Sequence, residues 1–395
     1  MDRKNSGGKS KGKCAAYGFA YALTLIILAS GCSDCGVAGT AEPVSGKDNS
    51  IAIMTWNVQT LFDGYEGGTE YDDFLESAGW NREKYKGRLN VIASAVSSME
   101  RKPDIIAMQE IESVNVLKDL SDAISRQPGT PAYSWIHFAI IPDMALGVGI
   151  LSSFPLESAR SHSVYANGDL TPRPMLEARI NVAGKGAANK PAEAGSDPLM
   201  LFICHWKSKL GGDDVTESTR RASARVILRR LRELAESEPD LPVIIMGDLN
   251  ENHDEFYRRS GTVISALLPD DPRAAEIAGL HGLDAAAGDL QKDFIVISKN
   301  KPPAARFFPP DSVVLYSPWN AELENGSYYY RNNWETIDHF LLSPQLFSGG
   351  KWNFSACKVV ITPSFANANG LPVAYNPRTG YGLSDHLPLL LILKK

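Results

Sequence analysis

The stretch "LPVIIMGDLNENHDE" (241–255) sets the apolar run Val243–Met246 after Pro242 and then turns abruptly polar at Gly247, Asp248, Leu249 and Asn250. A run this short, ended by such a break, reads as a buried strand delivering a loop at its C-terminal end. Gly, Asp and Asn also end strands as ordinary turns, so the stretch alone leaves a turn and a catalytic loop equally open. Similar breaks recur outward from it. "IAIMTWNVQTLF" (51–62) reads as a first buried strand ending near Asn57, and "DIIAMQEIE" (104–112) as a core strand ending in acid. "NREKYKGRLNVIASAVSSME" (81–100) places apolar residues at 85, 89, 92, 93 and 96, a helical spacing that Pro103 stops. "SVNVLKDLSDAISR" suggests a second helix, and "TESTRRASARVILRRLRELAES" (216–237) is amphipathic, with its apolar stripe at 224, 227, 228, 231 and 235. "YSWIHFAII", "GVGILSS", "RPMLEARINVA", "LMLFICHWKS", "ETIDHFLLS" (335–343) and "SDHLPLLLIL" (384–393) read as strands or strand-associated runs. Strands alternate with helices early and cluster without them in the middle, which suits a mixed α/β chain of two packed mixed sheets flanked by helices. Residues 185–198 and 300–325, rich in small residues or proline, read as surface excursions.

With 395 residues, 44% hydrophobic and 22% charged, the chain has ample material for a core. No period of 20–50 residues repeats, which argues against a solenoid or propeller. The expected organisation is an export signal over 1–31, a tether over 32–50 and one large domain over 51–395. The signal is read from Arg3, Lys4, Lys9, Lys11 and Lys13, followed by the uncharged stretch "CAAYGFAYALTLIILASGCS". The ending "LASGC" resembles a bacterial lipobox, implying that Cys32 carries lipid and becomes the new N-terminus; Ala29 departs from the usual Leu. The other reading is an uncleaved anchor, since 20 uncharged residues are just long enough to span a bilayer. Both readings place the domain outside the cytoplasm, tethered to a membrane.

Losing residues 1–31 leaves 35 basic and 45 acidic side chains, a formal charge of −10. That argues against a protein held to nucleic acid by a general positive field, and leaves a local basic groove open. Cys14 falls in the signal and Cys35 in the tether. Cys204 and Cys357 sit far apart in apolar runs and read as two buried free thiols.

Several strand-like runs end in a residue able to bind metal or handle a proton: Asn57, Glu110, His205, Asp248 with Asn250, Asp338, and Asp385 with His386. The order "TWN", "QE", "CHWKS", "GDLN", "TIDHFLLS" and "SDHLP" resembles the endonuclease/exonuclease/phosphatase superfamily across residues 51–393. The resemblance implies a four-layer αββα sandwich with its site where strand ends of both sheets meet. It also implies phosphodiester hydrolysis with Mg²⁺, or Mn²⁺ or Ca²⁺ in its place. Mg²⁺ takes hard oxygen ligands and keeps several waters, so one or two protein oxygens suffice. By resemblance Glu110 is the principal ligand, with Asn57 and Asp385 beside it. Asp248 and Asn250, two apart on an extended segment, are expected on one side, to activate the attacking water and fix the phosphate. The resemblance further implies that Asp338 orients His386 and that either His386 or Asp248 is the general base. By the same resemblance His205 contacts the phosphate near the leaving group, with Lys207 and Ser208 beside it. Gln59 stands where some members carry a second metal-binding acid.

For substrate, "NVQTLFDG", "HWKSKLGG" followed by "RRASA", and "NNWETIDHFLLS" look like predicted secreted bacterial nucleases, implying DNA or RNA. Arg221 and Arg225, continued by Arg229 and Arg232, form a stripe on the 216–237 helix that could track a phosphate backbone. The alternatives are a sphingomyelinase-like lipid or inositol phosphate hydrolase and a non-catalytic binding protein on the same fold. The tether has its own test. Metabolic labelling with a fatty acid is expected to mark wild type and not Cys32→Ser, and the variant should become soluble; equal labelling of both would defeat the lipoprotein reading.

Overall fold

The computed structural model describes residues 49–183, 197–282, 293–320 and 322–395. The expected signal, the expected lipidation site Cys32, nearly all of the expected tether and most of the 185–198 excursion lie outside them. Among the described residues no helix is long and apolar enough to cross a membrane.

Two large mixed sheets form the domain. The first has six strands in the order β17 (Asn353–Val359), β18 (Leu389–Lys394), β1 (Ser50–Leu61), β2 (Ile105–Ile111), β4 (Gly147–Ser152) and β3 (Trp135–Ala139). The second has eight: β11 (Leu267–Pro269), β12 (Ile295–Ser298), β13 (Val314–Tyr316), β16 (Asp338–Leu342), β10 (Val243–Asp248), β9 (Pro198–His205), β8 (Met175–Asn181) and β5 (Leu156–His162). Short hairpins β6 (Tyr165–Ala166) with β7 (Asp169–Leu170), and β14 (Tyr328–Tyr330) with β15 (Asn333–Glu335), stand apart from both. The helices are α1 (Arg82–Ser98), α2 (Val114–Ser125), α3 (Asp213–Ser237), α4 (Glu255–Arg258) and α5 (Pro272–Gly282).

Side-chain alternation along the strands builds the layers. Ile51 and Ile53 of β1 join Ile105, Leu201, Ile203, Ile244, Met246 and Phe340 in a core between the sheets. The alternate residues Ala52, Met54 and Trp56 face the other way and pack with Leu89 and Ile92 of α1 and Leu117 and Leu120 of α2. Phe202, Cys204 and Ile245 likewise pack with Ile227, Leu228 and Leu231 of α3. The result is the four-layer αββα sandwich. Cys204 and Cys357 are buried and unbridged.

One expectation is corrected. Residues 300–325 are not a surface excursion throughout, because Val314–Tyr316 is a strand of the second sheet and Tyr316 and Trp319 belong to the core between the sheets. Three apolar residues amid prolines are too short a run to show a period.

Parallel pairing of β9 with β10 sets Gly247 beside Cys204 and Asp248 beside His205. Gly247 has φ of 131°, and a Cβ there would lie 2.0 Å from the Cys204 carbonyl oxygen. Only glycine permits both the conformation and the contact. Gly247→Ala is expected to cost about 2–4 kcal/mol in urea unfolding, from strain plus overlap. Gly87→Ala in α1, where a Cβ meets nothing within 4 Å, should instead add up to about 1 kcal/mol.

Candidate active site

The C-terminal ends of β1 and β2 converge on those of β9 and β10. At the β1–β2 edge the pairing jumps from Asn57–Gln109 to Leu61–Ile111, so residues 58–60 stand opposite Glu110 alone. Gln59, Thr60 and Glu110 adopt left-handed backbone, at φ of 55°, 51° and 64°. This double bulge turns Glu110 out of the ladder. Its carboxylate accepts from the Thr60 N–H at 2.8 Å and from Asn57 Nδ2 at 3.2 Å. Asn57 Nδ2 also reaches Asp248 Oδ2 at 3.1 Å, joining the two sheets.

Arg88 of α1, only 2% exposed, holds the bulge. Its guanidinium donates to the carbonyls of Thr60 at 2.8 Å and Val58 at 2.7 Å, and also to that of Gln59. It lies 3.9 Å over the centroid of Tyr375. Gln59 carries the tie further. Its side-chain oxygen accepts from the N–H groups of Tyr375 at 2.7 Å and Asp385 at 3.1 Å. The amide therefore fastens the 375–385 segment to β1.

That segment delivers His386. Its Nδ1 lies 2.8 Å from Asp338 Oδ2, which also accepts from the Ser327 hydroxyl at 2.6 Å. Its carbonyl accepts from Trp56 Nε1 at 3.0 Å, and its Nε2 faces Asp248 Oδ2 at 3.9 Å. Burial opposes a charge on this ring, but Asp338, Asp385 and Asp248 outweigh burial and raise its pKa to about 10. Burial pushes the Asp248 carboxyl up towards neutrality, with His386 and Arg173 opposing. His205 stands 3.4 Å from Asp248 and 3.8 Å from Glu110. Burial, then Arg173 and His386, hold its pKa well below the usual value, so it is neutral.

Asn57, Glu110, His205, Asp248, Asn250, Asp338, Asp385 and His386 thus come together. Asn250 does so for a different reason from the expected one. β10 ends at Asp248, and Asn250 has left-handed backbone at φ 48°, with Nδ2 donating to the Trp206 carbonyl at 3.1 Å. The turn, not the strand pleat, places it. Lys207 and Ser208 continue from Trp206, partly exposed.

Arg221 and Arg225 are not brought into the cluster. Both approach Asp293, at 2.7 and 3.4 Å, and its single carboxylate offsets one of the two charges, while Arg225 stays more than half exposed. Their neighbour Arg220, fully buried, bonds Glu251, Glu217 and the Lys207 carbonyl, bracing the loops that follow Asp248 and His205. Sequence reasoning also missed Arg173. It donates to the same Trp206 carbonyl and feels the charges of Glu110 and Asp248.

Among the described residues, Asp248, Asp338 and His386 offer three ligand atoms within 4.8 Å of one another. Asp338 Oδ1 is buried without a protein partner, and Glu110 presents a carboxylate alongside. His386, held protonated, has no lone pair to give, so the oxygens that fit a divalent cation of the Mg²⁺ type are those of Glu110, Asn57 and Asp385.

The model of the endonuclease/exonuclease/phosphatase family matches residues 51–274. No curated protein is similar to the chain by sequence. Among solved structures, truncated TDP2 of Caenorhabditis elegans is 13% identical, covering 88% of this chain and 98% of its own, with a TM-score of 0.48. An endonuclease/exonuclease/phosphatase family protein of Bacteroides thetaiotaomicron is 16% identical over 88% of this chain and 96% of its own, at 0.46. A mannosyl-6-phosphatase of the same bacterium is 16% identical over 87% and 99%, also at 0.46.

Because Arg88 shapes the bulge that presents Asn57 and Glu110, its loss should act on rate more than on affinity. Arg88→Gln is expected to lower kcat roughly 10- to 100-fold with little change in KM, as small misplacements of reacting groups do. Arg88→Lys should not rescue it, lacking the planar fork that meets several carbonyls. Steady-state kinetics with thermal melts check this; full kcat in Arg88→Gln would show the bulge keeps its shape unaided.

Proposed function

The chain belongs to the endonuclease/exonuclease/phosphatase family, and from that premise we propose that it is a divalent-metal-dependent phosphodiesterase acting on DNA or RNA, exported and lipid-tethered through Cys32. The observation that carries the hydrolytic reading is the buried Asp338–His386 pair facing Asp248, with Asn57 bridging Asp248 to Glu110.

Water oxygen bonds to phosphorus, its proton passes to Asp248, and the bond to the leaving oxygen breaks. Asp248 suits the base because burial raises its proton affinity. His386 does not, because its neighbours hold it protonated; its charge instead stabilises the pentavalent phosphorus, and it can give a proton to the leaving oxygen. Asp338 and Ser327 fix its ring. Neutral His205 offers a hydrogen bond to a phosphoryl oxygen, and Arg173 adds fixed positive charge. A divalent cation held by Glu110, with Asn57 and Asp385 beside it, would supply Lewis-acid charge to the same oxygens. The choice of nucleic acid is supported by the runs "HWKSKLGG" and "NNWETIDHFLLS"; the arginine stripe no longer supports it.

The mature domain with Mg²⁺ is expected to cleave plasmid DNA or RNA, and not sphingomyelin or an inositol polyphosphate. Chelation should abolish turnover. Asp248→Asn and His386→Ala should each lose at least about 10²-fold in kcat while melting as a folded domain. Glu110→Gln should raise the Mg²⁺ needed for half-maximal rate. Near wild-type turnover in folded Asp248→Asn would reject the assignment of the base, and cleavage of the lipid substrate alone would reject the nuclease.

A further inference from the structure

The β14–β15 hairpin takes no part in the chemistry above, yet it abuts it. Tyr328 forms an isolated antiparallel bridge with His386. Its ring stacks on the imidazole, with centroids 4.6 Å apart and planes 30° apart. Tyr330 is two residues on, hence on the same face of the strand. It lies nearly parallel to Tyr328, at 6.1 Å and 16°. The Arg331 guanidinium follows, 5.0 Å from the Tyr330 centroid. A single ladder of planar groups therefore runs from His386, 6% exposed, to Tyr330, 47% exposed, and ends on a cation in solvent.

The hairpin is tight. Tyr330 pairs with Asn333, so the turn is Arg331–Asn332 alone, at φ of 47° and 66°. Such two-residue turns usually carry Asn-Gly; here an arginine occupies the strained first position. Among the described residues Arg331 has no carboxylate at ion-pair distance, whereas Arg258 nearby pairs with both Asp254 and Glu335.

We propose that Tyr328, Tyr330 and Arg331 form a stacking subsite for a nucleobase of a single-stranded polynucleotide, next to the phosphate being cleaved. This rests on the nuclease reading and narrows it to strands whose bases are unpaired. Every base has a π-face, so stacking of this kind holds a strand without reading its sequence. The base takes the guanidinium's place over Tyr330, and Arg331, on the same turn, meets a neighbouring phosphate. Aromatic rings also hold a quaternary ammonium headgroup, but the Arg331 cation at the end of the ladder opposes one and favours a base joined to a phosphate.

The test uses the mature domain and a single-stranded oligonucleotide carrying 2-aminopurine. With metal chelated, wild type should quench the fluorescent base; Tyr330→Ala should lose the quenching and Tyr330→Trp should restore it. With Mg²⁺, Tyr330→Ala should raise KM for the strand roughly 5- to 100-fold, the range that one base–aromatic stack supplies. The preference for that strand over one with abasic residues at the cleaved positions should collapse together with it. Arg331→Ala should flatten the salt dependence of strand binding by about 0.7, one phosphate contact. Cleavage of the oligonucleotide with no quenching, and with no effect of Tyr330→Ala on the abasic preference, would overturn the subsite and leave the phosphodiesterase intact. Turnover of other phosphate esters with none of any nucleic acid would overturn both.

Discussion

Arg88 is a full charge set in the first helix–sheet interface, and it is tolerable there because three consecutive carbonyls turn inward to meet it. A regular strand could not do this, since successive carbonyls of a ladder point to alternate sides. The bulge at 58–60 and the buried guanidinium therefore require each other. An unpaired buried charge would cost several kcal/mol, and unpaired buried carbonyls about 1–3 each. From this one contact the placement of Asn57 and Glu110 follows, and through Gln59 that of the segment bearing His386.

Carboxylates from both sheets and two imidazoles then lie together in a largely buried cluster, and the carboxylates set the charge of His386. Asp338 and His386 act as a fixed pair, so the imidazole stays charged beside a phosphate that needs positive charge. The same burial that would destabilise an isolated Asp248 makes it receptive to a proton near neutrality. His205 is kept neutral by burial and by the positive groups around it, Arg173 and His386. Asn57, bonded to carboxylates from both sheets, makes this balance depend on how the sheets pack. Catalytic geometry and the fold's central interface are in this sense one constraint.

The layered fold and the strand-end residues were legible because both rest on local pattern: apolar runs of strand length, each broken by a polar residue able to serve one chemistry. What escaped was whatever pattern represents badly. A charged residue in an amphipathic helix reads as solvated, so Arg88 and Arg220 were passed over although both are buried. The neighbours Arg221 and Arg225 read as a stripe, but they lie outside the cluster and share Asp293, remote in sequence. Asn250 was placed correctly by an argument that does not apply, because left-handed backbone begins where the strand period ends. β13 was lost among prolines. The run "SYYYRNNWE" carried a hairpin signal, aromatic residues before a two-residue turn, but nothing local ties Tyr328 to a histidine 58 residues later.

Charge bears on how such a protein would hold a polyanion. The whole chain carries a formal −6, so attraction at long range is absent or reversed, and Arg220, Arg221 and Arg230 of α3 are engaged by carboxylates within the protein. Close to the cluster, positive charge is offered by Arg173, by protonated His386 and by Lys207, with Arg331 farther out. Few phosphate contacts mean few counterions released and a shallow dependence on salt. Strand affinity must then come from a term that salt does not screen. Stacking on rings is such a term, and the rings that continue outward from His386 stand where a strand leaving the catalytic cluster would meet them. A protein of this charge would discriminate by the contacts of one or two nucleotides around the cleaved bond, not by the length of the polymer.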